Sequence, residues 1–190
     1  MKNLSAESAL SRLKAGNERN RQGRPAGKGR DETRRRELVA GQHPFAVILS
    51  CSDSRIVPEI IFDTGIGDLF VIRVAGDVAN TSTIATIEYA VAHLGTKLVV
   101  VLAHESCGAV TAAIEGASSS ENLDHLLAFI TPAIDTSGGQ DVDSTARRNA
   151  GLTASRLVAE SEIIRSAVES DGVRVSTAFY HLESGAVDFE

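Results

Sequence analysis

At 190 residues and 20.0 kDa, the chain has the length of one domain, or of one domain with an arm. Apolar residues make up 43% and charged residues 23%, which supports a core and argues against global disorder; no uninterrupted apolar run approaches the ~18 residues of a membrane span. Trp is absent and aromatics are 4%, against a stacking platform for single-stranded nucleic acid. Residues 1–7 lack the apolar stretch of a secretory signal, so a cytoplasmic chain with no membrane partner is expected. Two Cys cannot staple a chain of this length into a disulfide scaffold, so reduced thiols or metal ligands are expected.

Charge is unevenly spread. Residues 1–37 hold 11 Lys/Arg and 5 Asp/Glu, the rest 8 and 20. A basic arm on an acidic body can meet nucleic acid, a membrane surface or the acidic body of a neighbouring subunit, or remain a solvated helix. The interspersed Glu7, Glu18, Asp31, Glu32 and Glu37 weaken the nucleic-acid reading, and no nucleic acid is expected as a partner.

In chain order, Ala6, Ala9, Leu10 and Leu13 recur at helical spacing, with Gly16 as the expected stop. Residues 23–29, rich in Gly and containing Pro25, predict a loop. A second short helix is predicted over 33–40, ended by Gly41. Three short runs, 45–49, 69–72 and 98–102, are apolar throughout, as strands buried on both faces are. Between the second and third, Ile84, Ile87, Ala90, Val91 and Leu94 mark a helix over 83–94, capped by Gly95. Helices are predicted over 108–114, 122–130 and 144–170, with loops at 118–121 and 137–141. Residues 173–180 read as a late strand, and Glu183-Ser184-Gly185 as the turn of a terminal hairpin. The expected fold is α/β: a mainly parallel β-sheet flanked by helices, with an N-terminal helical arm (1–42), a body (43–190) and a C-terminal β-hairpin. Sites in such open sheets form at the carboxyl ends of strands.

The first and third predicted strands end in unusual chemistry. One runs into Ser50-Cys51-Ser52-Asp53-Ser54-Arg55, the other into Ala103-His104-Glu105-Ser106-Cys107-Gly108. If these strands are adjacent and parallel, Cys51 faces His104 and Cys107 across one end of the sheet. Two thiolates and an imidazole suit tetrahedral zinc. His104 and Cys107 lie three apart where a strand turns into a helix, and the helix start favours a thiolate. Asp53 can take the fourth zinc position. Alternatively, Arg55 captures Asp53 in bidentate fashion and leaves that position to water, whose pKa near 7 on zinc gives hydroxide at neutral pH.

Cys51-Ser52-Asp53-Ser54-Arg55, together with His104-Glu105-Ser106-Cys107-Gly108, resembles the signature of the β-class carbonic anhydrases. Residues 68–76, the helix with Ile87-Glu88-Tyr89-Ala90 and the hairpin over 175–187 are also similar, and the likeness runs from about His43 to the C-terminus. The resemblance implies a zinc-binding catalytic domain over 43–190 that hydrates CO2 reversibly to bicarbonate and a proton via zinc-bound hydroxide. It implies helical arms that embrace a neighbouring subunit, in a homodimer or tetramer. By position it implies Cys51, His104 and Cys107 as zinc ligands and Asp53 and Arg55 as a catalytic dyad, with Asp53 ligating zinc only in an inactive closed state. There are departures. Val74 stands where Asn commonly follows the Arg, Ala103 where Gly usually precedes the ligand His, and Thr64 and Gly65 where several members place a Gln. Without Trp, the Trp-containing second bicarbonate site of some bacterial members cannot be present in that form.

Two other functions stay open at this point. The same fold can hydrolyse CS2 or COS, a choice set by pocket width. A non-catalytic module would close the zinc permanently with Cys51, Asp53, His104 and Cys107, although a permanent Asp ligand does not need the competing cation Arg55. His43, His93, His125 and His181 lack ligand-like neighbours and read as structural or solvated.

Overall fold

The computed structural model describes residues 4–117, 119–135 and 141–190, so the predicted loop positions Ser118 and 137–140 lie outside the described residues. The chain opens with α1 (Ala6–Arg21), capped by the Ser5 hydroxyl, which accepts from the Ser8 N–H at 3.2 Å. Its face of Ala9, Leu10 and Leu13 is buried. Gly16 does not stop the helix. It lies on the buried face where a Cβ would stand 1.9 Å from the Phe62 carbonyl oxygen, so its role is close approach between α1 and the backbone that follows α3 (Pro58–Ile61). Asn17, one residue on, bonds Ile61 O, Gly185 O and the Val187 N–H, joining the arm to both ends of the body.

The second predicted helix is α2 (Glu32–Glu37), capped by Asp31 and tightened into a 3₁₀ turn over Leu38–Ala40 before Gly41. Several cations of this basic region meet the chain's own acids. Arg12 pairs with Asp68 at 2.9 Å and Arg19 with Asp63 at 2.6 Å. The Asp63 carboxylate is sealed from solvent and also accepts the Ala26 and Gly27 N–H groups, which folds the Gly/Pro-rich loop down onto the body.

The sheet runs β2-β1-β3-β4-β5, from β1 (Ala46–Ser50), β2 (Leu69–Arg73), β3 (Leu98–His104), β4 (Arg174–Tyr180) and β5 (Val187–Phe189). The first four strands are parallel and β5 returns antiparallel, forming the expected hairpin. Every residue of β1 and β3 is buried. β2 is not: it is an edge strand, half-buried along most of its length, a correction to the reading of its apolar run.

One face of the sheet packs Val47, Leu49, Val99 and Val101 against α4 (Thr81–Ala92), α7 (Val142–Glu160) and α8 (Glu162–Ser170). The other packs Ile48, Leu98, Val100 and Leu102 against α1, Ile61 and Phe62. Each fully buried side chain of this kind contributes roughly 1.5–3 kcal/mol before conformational entropy is counted. The remaining helices are α5 (Gly108–Glu115) and α6 (Glu121–Leu127). Helix starts fall within two residues of expectation at α4, α6 and α7, and the larger differences are at their ends. α4 ends at Ala92 with His93 as its cap, and Gly95 turns the chain two residues later at φ 67°. α6 stops at Leu127 rather than 130. The stretch 144–170 breaks at Ser161, which is extended (φ −122°, ψ 115°), caps α8 through the Ile164 N–H and donates to Glu88 at 2.6 Å. Among the described residues, no helix is long and apolar enough to cross a membrane.

Candidate metal centre

β1 and β3 are hydrogen-bonded neighbours, and Ser50 pairs with Leu102, so Cys51 leaves the sheet beside His104. Cys107 follows three residues later as the N-cap of α5. The ligand atoms of Cys51, His104 and Cys107 lie within 4.8 Å of one another, and all three residues are buried. The His104 ring is oriented by its Nδ1–H, which donates to the Glu105 carbonyl at 2.9 Å. This leaves Nε2 to offer its lone pair to a metal: it is sealed from solvent, makes no hydrogen bond of good geometry, and faces the Cys51 and Cys107 thiols. A buried polar atom without a partner costs about 1–3 kcal/mol. Two thiols and one unpartnered imidazole nitrogen fit a soft or borderline cation, and zinc above all.

The two thiols are not equivalent. The Cys107 thiol beside it, opposed by burial and joined by His104 and the Gly76 N–H at 3.4 Å, holds Cys51 down to about 4. Cys107 is pushed up by that bond to Cys51, by burial and by the negative charge on Cys51. The pair thus parts readily with one proton and reluctantly with the second, which a bound dication would displace. Asp77, 2% exposed, sits behind them; burial first, then the charge on Cys51, raises it to about 8. Asn149 closes this side, donating to the Gly76 carbonyl at 2.7 Å.

Asp53 is not part of the three-residue group. Its carboxylate is gripped by Arg55 at both oxygens, Nε to Oδ1 at 2.9 Å and Nη2 to Oδ2 at 2.7 Å, and the Arg55 N–H adds a third bond. The guanidinium holds Asp53 well below the usual carboxylate range, against the opposing effect of burial. Four contacts escape a sequence reading. Arg73, at the end of β2, donates to the carbonyls of Cys51 (3.2 Å) and Asp53 (2.7 Å). Ser106 is left-handed at φ 53°, a conformation that costs a non-glycine residue roughly 1–2 kcal/mol. Its N–H donates to Asp143 at 2.8 Å and its carbonyl accepts from Arg55 at 3.2 Å. The Asp143 carboxylate in the first turn of α7 gives no signal in the sequence beyond that of an acidic helix start. The other histidines lie outside the group: His181 bonds Asp188 at 2.7 Å, while His93 and His125 pack against Tyr89 and Phe129.

A family model described as Carbonic anhydrase matches residues 46–187. The chain also superposes, with a TM-score of 0.75 and 26% identity, on a tetrameric β-carbonic anhydrase from Sordaria macrospora, covering 96% of this chain and 95% of that one. The chain belongs to the β-carbonic anhydrase family. Carbonic anhydrase 2 of Mycobacterium tuberculosis is 37% identical over 192 residues, covering 97% of this chain and 93% of the relative. The carbonic anhydrase of Mycolicibacterium smegmatis is 35% identical over 195 residues, covering 99% and 95%. As a β-carbonic anhydrase, the chain accommodates its departures within the fold. Val74 extends the backbone, donating to Ser50 O at 3.1 Å; Ala103 is buried; and the Thr64 hydroxyl is spent on the Glu59 carbonyl at 3.3 Å.

Proposed function

We propose that this chain hydrates CO2 reversibly to bicarbonate and a proton, with zinc held by Cys51, His104 and Cys107. The observation that carries the reading is the buried, unpartnered Nε2 of His104 facing two thiols while Asp53 is turned to Arg55. When bound, zinc supplies hydroxide at neutral pH by acidifying coordinated water to about pKa 7. The protein's part is positional. Asp53, ionised because Arg55 holds it, can only accept hydrogen bonds, so at Oδ1 or Oδ2 it selects a nucleophile that presents its proton to the carboxylate and its lone pair to CO2. Arg73 fixes the loop that carries both Cys51 and Asp53. The same Asp53–Arg55 grip disfavours the permanently closed structural module. CS2 or COS as substrate remains the competing reading.

Residues 43–190 form the catalytic body in this proposal and 1–42 the arm. Free buried Cys51 and Cys107 suit a reducing, cytoplasmic setting. A homodimer or tetramer follows from the half-buried edge strand β2 beside exposed Ile60, Ile66 and Tyr89, and from the tetrameric Sordaria relative. Sedimentation at micromolar concentration should show at least a dimer; a strictly monomeric active species would refute it. Stopped-flow CO2 hydration should be fast, lost on chelation and restored by zinc, with CS2 turned over poorly. Activity that survives complete metal removal, or that favours CS2, overturns the reading.

A further inference from the structure

We propose that Asp143 is a positioning residue for the Asp53–Arg55 pair, acting through the Ser106 peptide. The inference rests on the zinc-site reading above and adds a part to it. Arg55 is half exposed, and a long cationic side chain two residues from its carboxylate has other rotamers open to it. Besides Asp53, its contact is the Ser106 carbonyl, reached across a gap of 51 residues in sequence by Nη2, the same nitrogen that grips Asp53 Oδ2. The residue that presents this carbonyl, Ser106, is left-handed at φ 53°. A serine does not hold such a conformation unaided; its surroundings must impose it. Asp143 does so, through a charge-assisted bond at 2.8 Å to the Ser106 N–H. The order of dependence is Asp143 to Ser106, Ser106 to Arg55, and Arg55 to Asp53. With the first link removed, Ser106 relaxes, Arg55 loses one of two holds, and Asp53 is freer to turn toward the metal position.

The test is azide binding to the cobalt-loaded protein, followed in the visible spectrum at matched metal content. Azide needs an open fourth position and reports on it without turnover. Asp143→Ala should weaken azide binding about tenfold, the effect of one charge-assisted hydrogen bond. Asp143→Asn, which keeps an acceptor for the Ser106 N–H, should recover most of that loss. In an Arg55→Ala background, Asp143→Ala should add nothing. A merely structural role would lower thermal stability in both Asp143 variants and leave azide affinity per loaded site unchanged, overturning the proposal. If Arg55→Ala closes the site and Asp143→Ala does not, the inference alone falls. If Arg55→Ala also leaves azide binding intact, the Asp53–Arg55 reading falls with it.

Discussion

Asp63 and His104 are both sealed from solvent, and the difference between them lies in their partners. Asp63 receives two backbone N–H groups and the Arg19 guanidinium, so its buried charge is matched. His104 is matched at Nδ1 alone, and its Nε2 faces two thiols. Burial alone is therefore no guide to function in this chain, and neither is a missing partner alone, since Ser50 Oγ and Asn149 Oδ1 are also buried without one; His104 Nε2 stands out because two thiols face it. A buried polar group with every bond made holds the arm on the body. One left incomplete where two thiols converge on it is the place a metal ligand set would be completed.

The comparison breaks most visibly at the incomplete cluster. Cys107→Ser should reduce zinc from about one per chain to below about one-tenth by elemental analysis, since two protein donors hold the metal far less well than three. Full zinc in that variant would remove the cluster from the argument. Next, at matched zinc, Asp53→Ala and Arg55→Ala should each slow CO2 hydration by roughly 30- to 1000-fold, the worth of about 2–4 kcal/mol of charge-assisted bonding in a dry site. Rates near the parent's across the pH range would leave Asp53–Arg55 an ordinary loop salt bridge.

The matched cluster should respond in stability instead. Asp63→Ala should cost about 3 kcal/mol in urea unfolding at pH 7 and leave zinc content unchanged. Burial alone would raise the Asp63 pKa, but the Ala26 N–H, Arg19 and the Gly27 N–H outweigh it and hold the carboxylate below its ordinary value. Its contribution is thus complete above the unfolded-chain value of about 3.9 and is lost as pH falls through the lower folded-state value. Urea midpoints of parent and variant should converge only below about pH 4; convergence already at pH 6 would mean that some other group holds the arm.

Much of this was legible in the sequence because its signals are local. Continuous apolar runs mark β1 and β3, and the chain's two cysteines with His104 follow those runs directly. What escaped depends on approach from elsewhere. Gly16 reads as a helix stop until Phe62 is seen against it. Ser161 carries a capping signal, but only the half-buried bond to Glu88 makes the break in 144–170 intelligible. β2 has the composition of a central strand, and edge position is a property of sheet order, not of its residues. Asp63 and Asp143 look like any surface carboxylates, because their partners lie 36 to 44 and 37 residues away.

The spacing of the three donors has a consequence for how a metal would be acquired. Cys51 and His104 stand fifty-three positions apart, and α3, β2 and α4 lie between them. The complete donor set exists only once β1 and β3 are side by side, a contact of long sequence separation with a large closure entropy. Of the three donors, an unfolded chain keeps only His104 and Cys107 close in sequence. A dication that needs all three donors would therefore bind the native form far more tightly than the unfolded one, and by mass action its free concentration would help to set how much of the chain stays folded.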